Sequence, residues 1–295
     1  MKPTYISFAS GWGGTSSGFK QARWQGKLAI DIDPTARKYH LLNFPDTTVK
    51  PWDLSKVSPD QIREVAGDVD FVLNTCPCTK ISAAGVPDPY HPLNAMLLRT
   101  VGMLPHLGPN IKGMLVENVP NLKVGKMKIL YELLKQEYSK LKDFQWIDGV
   151  WSSIHYNTPQ QRKRYCAIIL HRDFPKPIFP APTTKDYEAL MLKNIAPEVK
   201  LLKTGYTDEY KRHDKLKPRT PEEYCFTATA TVNLFDQNDV PIDIPTLLRL
   251  CGYPADWIYS IDPKDYVKMY RLCGNSVMPP FSKAIGEAIK IMIGM

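Results

Sequence analysis

The chain has 295 residues, 43% of them hydrophobic and 11% aromatic, and Lys and Arg outnumber Asp and Glu by 38 to 30, for a formal charge of +8. That is enough apolar content to fold and to bury a sizeable core, as one large domain with a smaller one beside it or as two modest domains. No run approaches the length of a membrane span and the amino terminus carries no apolar signal core, so the expectation is a soluble, cytoplasmic protein without a membrane partner.

The basic excess favours a polyanionic partner without naming one, although a soluble protein that merely happens to be basic would show much the same balance. Six cysteines stand at positions 76, 78, 166, 225, 251 and 273. Only Cys76 and Cys78 are close together, and a metal knuckle needs a second such pair, so no metal is expected. Disulfides are not expected in a cytosolic chain.

In chain order, Tyr5-Ile6-Ser7-Phe8 reads as a strand. Ala9-Ser10-Gly11-Trp12-Gly13-Gly14 then reads as a tight turn into a helix that Thr15 or Ser16 caps. Lys27 to Ile32 is a second strand, and Asp33-Pro34 supplies a helix cap followed by proline at the first helical position, with the helix running to about Asn43. Strand, glycine turn, helix and a strand ending in an acid open a nucleotide-type βαβ unit. Gly11, Gly13 and Gly14 depart from the GxGxxG spacing, but glycines there let backbone approach a ligand closely. Asp31 suits a ribose diol, or else is a plain carboxylate at a helix entry.

Residues 59 to 66 suggest a short helix. Phe71-Val72-Leu73 is a buried strand, and the loop at its carboxyl end holds Asn74-Thr75-Cys76-Pro77-Cys78-Thr79. In parallel α/β sheets ligands bind at that edge. Leu93 to Leu104 has helical spacing with Arg99 on the other face, and Lys112 to Pro120 is another buried strand with polar residues at its end. This alternation makes the sheet largely parallel. Lys126 to Leu141 is a basic amphipathic helix, followed by strands near 145–150 and 165–170. From Asp173 the chain turns proline-rich and irregular, with the basic run Lys211-Arg212-His213-Asp214-Lys215-Leu216-Lys217, either a solvated face or a surface for phosphates. An amphipathic helix from Pro280 to Ile293 returns to the sheet.

Taken together, the strand-end residues resemble the cytosine-5 DNA methyltransferase family, through ordered motifs spread over most of the chain. Phe8-Ala9-Ser10-Gly11-Trp12-Gly13-Gly14 is similar to the loop that binds S-adenosylmethionine, and Asp31-Ile32-Asp33 to the segment whose acid takes the ribose hydroxyls while the next residue packs on adenine. Asp53-Leu54 falls where the family holds the adenine amino group. Pro77-Cys78 matches the catalytic Pro-Cys, and Ser82-Ala83-Ala84-Gly85 the mobile loop beyond it. Glu117-Asn118-Val119 matches Glu-Asn-Val, and Gln160-Gln161-Arg162-Lys163-Arg164 fits Gln-x-Arg-x-Arg. Leu250 to Trp257 looks like the segment closing the recognition domain, and Gly274-Asn275-Ser276-Val277 like the last motif, which returns to the cofactor. Two departures stand out: Thr79 where the family usually has glutamine, and Asp31 where it usually has glutamate.

The resemblance implies a Rossmann-like S-adenosylmethionine-dependent α/β fold with a mostly parallel sheet. Residues 1–170 would form the catalytic and cofactor-binding domain, 171–258 a small irregular target-recognition domain, and 259–295 the return to the first. It implies a monomer that methylates cytosine in double-stranded DNA, as restriction-modification enzymes do. Carbon 5 of cytosine becomes nucleophilic only after a thiolate adds at carbon 6, a role implied for Cys78. Glu117 would serve N3, Arg164 the O2, and Arg162 the catalytic loop or the thiol, while Asn118 orients the Pro-Cys loop. Alone, Cys78 reads as an inert buried thiol, Glu117 as a cap or ion-pair partner and the arginines as surface charge. Their placement at the ends of separate strands is what favours chemistry. The alternatives are the same chemistry on tRNA, a non-catalytic nucleic-acid-binding member of the fold and, last, a nicotinamide-dependent oxidoreductase.

Overall fold

The computed structural model describes residues 2–82, 86–207, 212–214 and 217–295. Ala83 to Gly85 of the expected mobile loop, and Lys211, Lys215 and Leu216 of the basic run, lie outside them.

The amino-terminal half alternates strand and helix: β1 (Thr4–Phe8), α1 (Gly14–Gln21), β2 (Gln25–Ile30), α2 (Pro34–Asn43), β3 (Thr48–Lys50), α3 (Pro59–Ala66) and β4 (Phe71–Asn74). It continues through α4 (Pro92–Gly102), β5 (Gly113–Asn118), α5 (Lys128–Lys140), β6 (Phe144–Ser152) and β7 (Lys163–His171). Local chemistry sets several of these boundaries. Asp33 caps α2, its carboxylate accepting from the N–H groups of Thr35 and Ala36, and Ser58 and Gln61 make a reciprocal capping box on α3. The cap expected at Thr15 or Ser16 is not what starts α1. Gly13 occupies the cap position at φ 103°, a left-handed conformation suited to glycine, so the helix begins before either expected cap and without a side-chain cap. The second strand likewise ends at Ile30, which leaves Asp31 and Ile32 in the connection to α2.

Among the described residues the main sheet has the order β3-β2-β1-β4-β5-β7-β6. The pairs from β3 to β5 are parallel, whereas β7 is antiparallel to β5 and β6 to β7. Side chains alternate between two apolar layers. Tyr5, Phe71, Leu73, Leu115 and Ile168 pack on the side of α1, while Ile6, Phe8, Val72, Met114 and Ile169 pack on the side of α4 and α5. Covered on both faces, β4 and β5 are buried throughout.

Beyond β7 come α6 (Leu192–Ile195), β8 (Lys203–Thr207), β9 (Arg212–Asp214), β10 (Leu234–Phe235), α7 (Ile244–Leu250), α8 (Tyr266–Asn275) and α9 (Pro279–Met292). The short strands form a second sheet in the order β10-β8-β9. This region has more helix than its prolines suggest, because Asp243 caps α7 by accepting from the Thr246 N–H. Its apolar residues, from Leu192 to Trp257, pack in the same layer as Trp12, Phe19 and Ile285. Helix α9 lies on α1, where the Trp24 indole donates to the Gly286 carbonyl at 3.0 Å. Among the described residues no helix is long and apolar enough to cross a membrane.

Candidate active site

The parallel strands β1, β4 and β5 end at one edge of the sheet, and the antiparallel β7 begins there. Register then brings an acid to a base. Glu117 stands opposite Cys166, so Arg164, two residues away on β7, is its diagonal neighbour on the same face. The Nε of Arg164 lies 2.9 Å from Oε1 of Glu117, with side chains 12% and 10% exposed.

A cleft of about 340 Å³ opens at this edge. Its walls come from three groups: Ser10, Gly11, Gly14 and Asp31; Pro77, Cys78, Glu117, Asn118 and Arg164; and Asn275, Ser276 and Val277. Each loop is held from behind. The Gly11 N–H donates to Oδ2 of Asp31 at 2.8 Å and the Asp33 N–H to its Oδ1 at 2.8 Å. The Thr75 hydroxyl donates to the carbonyls of Phe8 and Ala9, both at 3.1 Å, joining the ends of β1 and β4. Asn118 donates to the Cys76 carbonyl at 3.3 Å and Asn121 to that of Ile81 at 2.5 Å, so the residues after β5 grip the Pro-Cys loop on both sides. The Trp12 indole donates to the hydroxyls of Tyr253 at 2.7 Å and Ser276 at 2.8 Å, tying the glycine turn to the last motif.

Burial raises the pKa of Asp31, opposed by the N–H groups of Asp33 and Gly11. Burial also raises the Cys78 thiol. Arg164 and, more weakly, Arg162 pull it down while Glu117 adds to the rise, and the balance is a raised thiol. Glu117 is raised by burial, opposed by the same two arginines. Cys76 faces away, its thiol 3.4 Å from the Thr100 hydroxyl and pushed up to about 12 by burial.

Six of the expected residues stand outside the described cleft wall. Phe8 and Leu54 are core side chains, and Gly13 is the α1 cap, packed on Phe44. Ile32 is 68% exposed. Asp53 is half-buried and engages the N–H and hydroxyl of Ser55, which lower its pKa. Arg162 is buried and donates to three carbonyls: Ala228 at 2.5 Å, Gly274 at 2.5 Å and Ser276 at 3.1 Å. Burial, with Arg164 nearby, lowers its pKa to about 10.

Ala9, Asp33 and Thr75 line the cleft from within the motifs and loop marked in the sequence, though none was given a role there, and Ala230 and Arg271 line it from segments the sequence did not mark. Ala9, at φ 50°, carries no chemical signal, and Ala230 and Arg271 arrive from remote segments. Thr79 is also in the wall. Among the described residues no group of three or more His, Cys, Asp or Glu side chains is placed to hold a metal.

A mostly parallel sheet with an antiparallel β7 and a cleft at its carboxyl edge is the architecture of S-adenosylmethionine-dependent methyltransferases. Residues 4–240 match the family model described as C-5 cytosine-specific DNA methylase, and the chain belongs to that family. It is 30% identical over 191 residues to the type II methyltransferase M.XorII of Xanthomonas oryzae, a match covering 62% of this chain and 44% of that protein. Thus the matched part spans less than half of M.XorII. Against M1.HphI of Haemophilus parahaemolyticus the identity is 26%, over 98% of this chain and 87% of the relative. The solved structure of the Entamoeba histolytica methyltransferase EhMeth superposes with a TM-score of 0.72 at 16% identity over all of both chains, a likeness of fold.

Proposed function

We propose that the chain transfers a methyl group from S-adenosylmethionine to carbon 5 of cytosine in double-stranded DNA, through a covalent adduct of Cys78 with a flipped-out base. The observation that carries this reading is the convergence of a thiol, a raised carboxyl and a guanidinium, Cys78, Glu117 and Arg164, on one cleft. The same cleft suits the donor. Ser10 presents a buried hydroxyl without a protein partner, and Asp31 offers a carboxylate for a diol. Asn275 to Val277 would close over it, with Ile32 and Asp53 as outer contacts reached only when it is bound. S-Adenosylmethionine, when bound, supplies an electrophilic methyl group.

The chain's own residues do the rest. Cys78 gives up its proton to water and its sulfur adds to carbon 6, while Glu117 delivers a proton to N3 so that electron density reaches carbon 5. Arg164 stabilises the charge gathering on O2 and fixes Glu117. Once carbon 5 carries the methyl group, water takes the carbon 5 proton, the electron pair of that C–H bond restores the 5,6 double bond and expels the Cys78 thiolate, and N3 returns its proton to Glu117. Because carbon 6 is inaccessible in a stacked duplex, the nucleotide must leave the helix, at about a few kcal/mol. Phosphate contacts by the basic surface offset that cost.

Labelled donor incubated separately with duplex DNA and with tRNA tests the polymer, and DNA containing 5-fluorocytosine tests the adduct. Label in DNA and a trapped complex, both lost in Cys78→Ala, are expected. Label in tRNA alone, or transfer that persists in Cys78→Ala, refutes the reading.

A further inference from the structure

We propose that Asp33 and Arg271 form a latch across the donor cleft, whose opening sets how fast the donor and its demethylated product leave. The inference rests on assigning that cleft to the donor. Both residues line it, but they come from segments 238 residues apart, Asp33 between β2 and α2 and Arg271 in α8. A guanidinium nitrogen of Arg271 lies 2.5 Å from Oδ2 of Asp33.

The carboxylate divides its two oxygens. Oδ1 caps α2, accepting from Thr35 at 2.8 Å and Ala36 at 3.1 Å, and so leaves Oδ2 for Arg271. The connection that carries Asp33 is braced by its own helix, because Arg37 donates to the carbonyls of Asp31 at 3.0 Å and Ile32 at 2.7 Å. Arg271 is therefore the part able to swing. The side chains are 47% and 29% exposed, so the pair sits at the mouth, in contact with water, where ion pairs are weak and screened by salt. When closed, it joins the β2–α2 connection bearing Asp31 to the helix that ends at Asn275, bridging two walls of the cleft.

The experiment measures dissociation of S-adenosylmethionine and S-adenosylhomocysteine from the full chain by chase with unlabelled ligand, at low and high salt. Arg271→Gln and Asp33→Asn should each release ligand about two to five times faster. The double variant should be no faster than either single one, because the two changes remove one interaction. Salt should speed release from the parent chain and leave Arg271→Gln unchanged, while Arg271→Lys keeps most of the parent behaviour. Unaltered release and an unaltered salt response in Arg271→Gln overturn the latch and leave the cleft assignment standing. A parent chain that binds neither ligand overturns both.

Discussion

Replacing Arg162 by methionine separates a structural role from a chemical one. The guanidinium is buried and satisfies three carbonyls, of Ala228, Gly274 and Ser276. Methionine fills much of the space but leaves all three acceptors without a donor, at about 1–3 kcal/mol for each buried group. Relief from burying a charge offsets part of that, so the net loss expected is about 3–5 kcal/mol. For a chain of this size, that lowers the melting temperature by on the order of 10 °C. Two of the carbonyls flank Asn275, so donor affinity should fall as well. Arg162→Lys retains the charge but cannot span all three acceptors, and should lie between. Urea unfolding and equilibrium binding of S-adenosylhomocysteine report the two effects. If Arg162→Met keeps its melting temperature and its affinity yet loses turnover, Arg162 acts on the reacting base and the positioning role is wrong.

His40 lies buried beneath the glycine turn, its Nδ1 3.4 Å from the Gly11 carbonyl, and burial pushes its pKa down to about 4 from 6.5. As pH falls the unfolded chain takes the proton first, so this contribution to stability is full above about pH 6.5 and lost toward about pH 4. Between about pH 7 and about pH 5 the wild type should lose roughly 2 kcal/mol more than His40→Gln in urea titrations, and an equal loss in both would reject the assignment. Trp12→Phe removes the one indole N–H that serves the hydroxyls of both Tyr253 and Ser276. A loss of about 1–3 kcal/mol with weaker donor binding is expected, and stability unchanged in a chemical melt would show that this tie does not hold the cleft together.

Much of the fold was legible because local rules set it. Asp33-Pro34 announces α2, and the apolar runs at 71–73 and 113–116 can only be strands buried on both faces. The resemblance likewise marked Cys78, Glu117 and Arg164, which share the cleft wall. Other expectations turned on packing. Nothing local distinguishes Phe8 from a cleft residue, but an alternating strand with β1's register sends it into the core and leaves Ala9 at the wall. The two arginines of Gln-x-Arg-x-Arg look alike in sequence. Only the structure shows Arg164 beside Glu117 and Arg162 joining the Ala228 carbonyl to those of Gly274 and Ser276, from two segments far from it in the chain.

By itself, then, the sequence determined the alternation of strand and helix, the edge at which chemistry would gather and the residue types available there. Period, capping and turn preferences are properties of neighbours along the chain. Which buried groups meet was decided by tertiary structure. Strand register paired Glu117 with Arg164, and the return of α8 placed Arg271 against Asp33. Burial also raised the Cys78 thiol despite the two arginines near it, because the desolvation of a charge depends on everything packed around it, however far away in the chain.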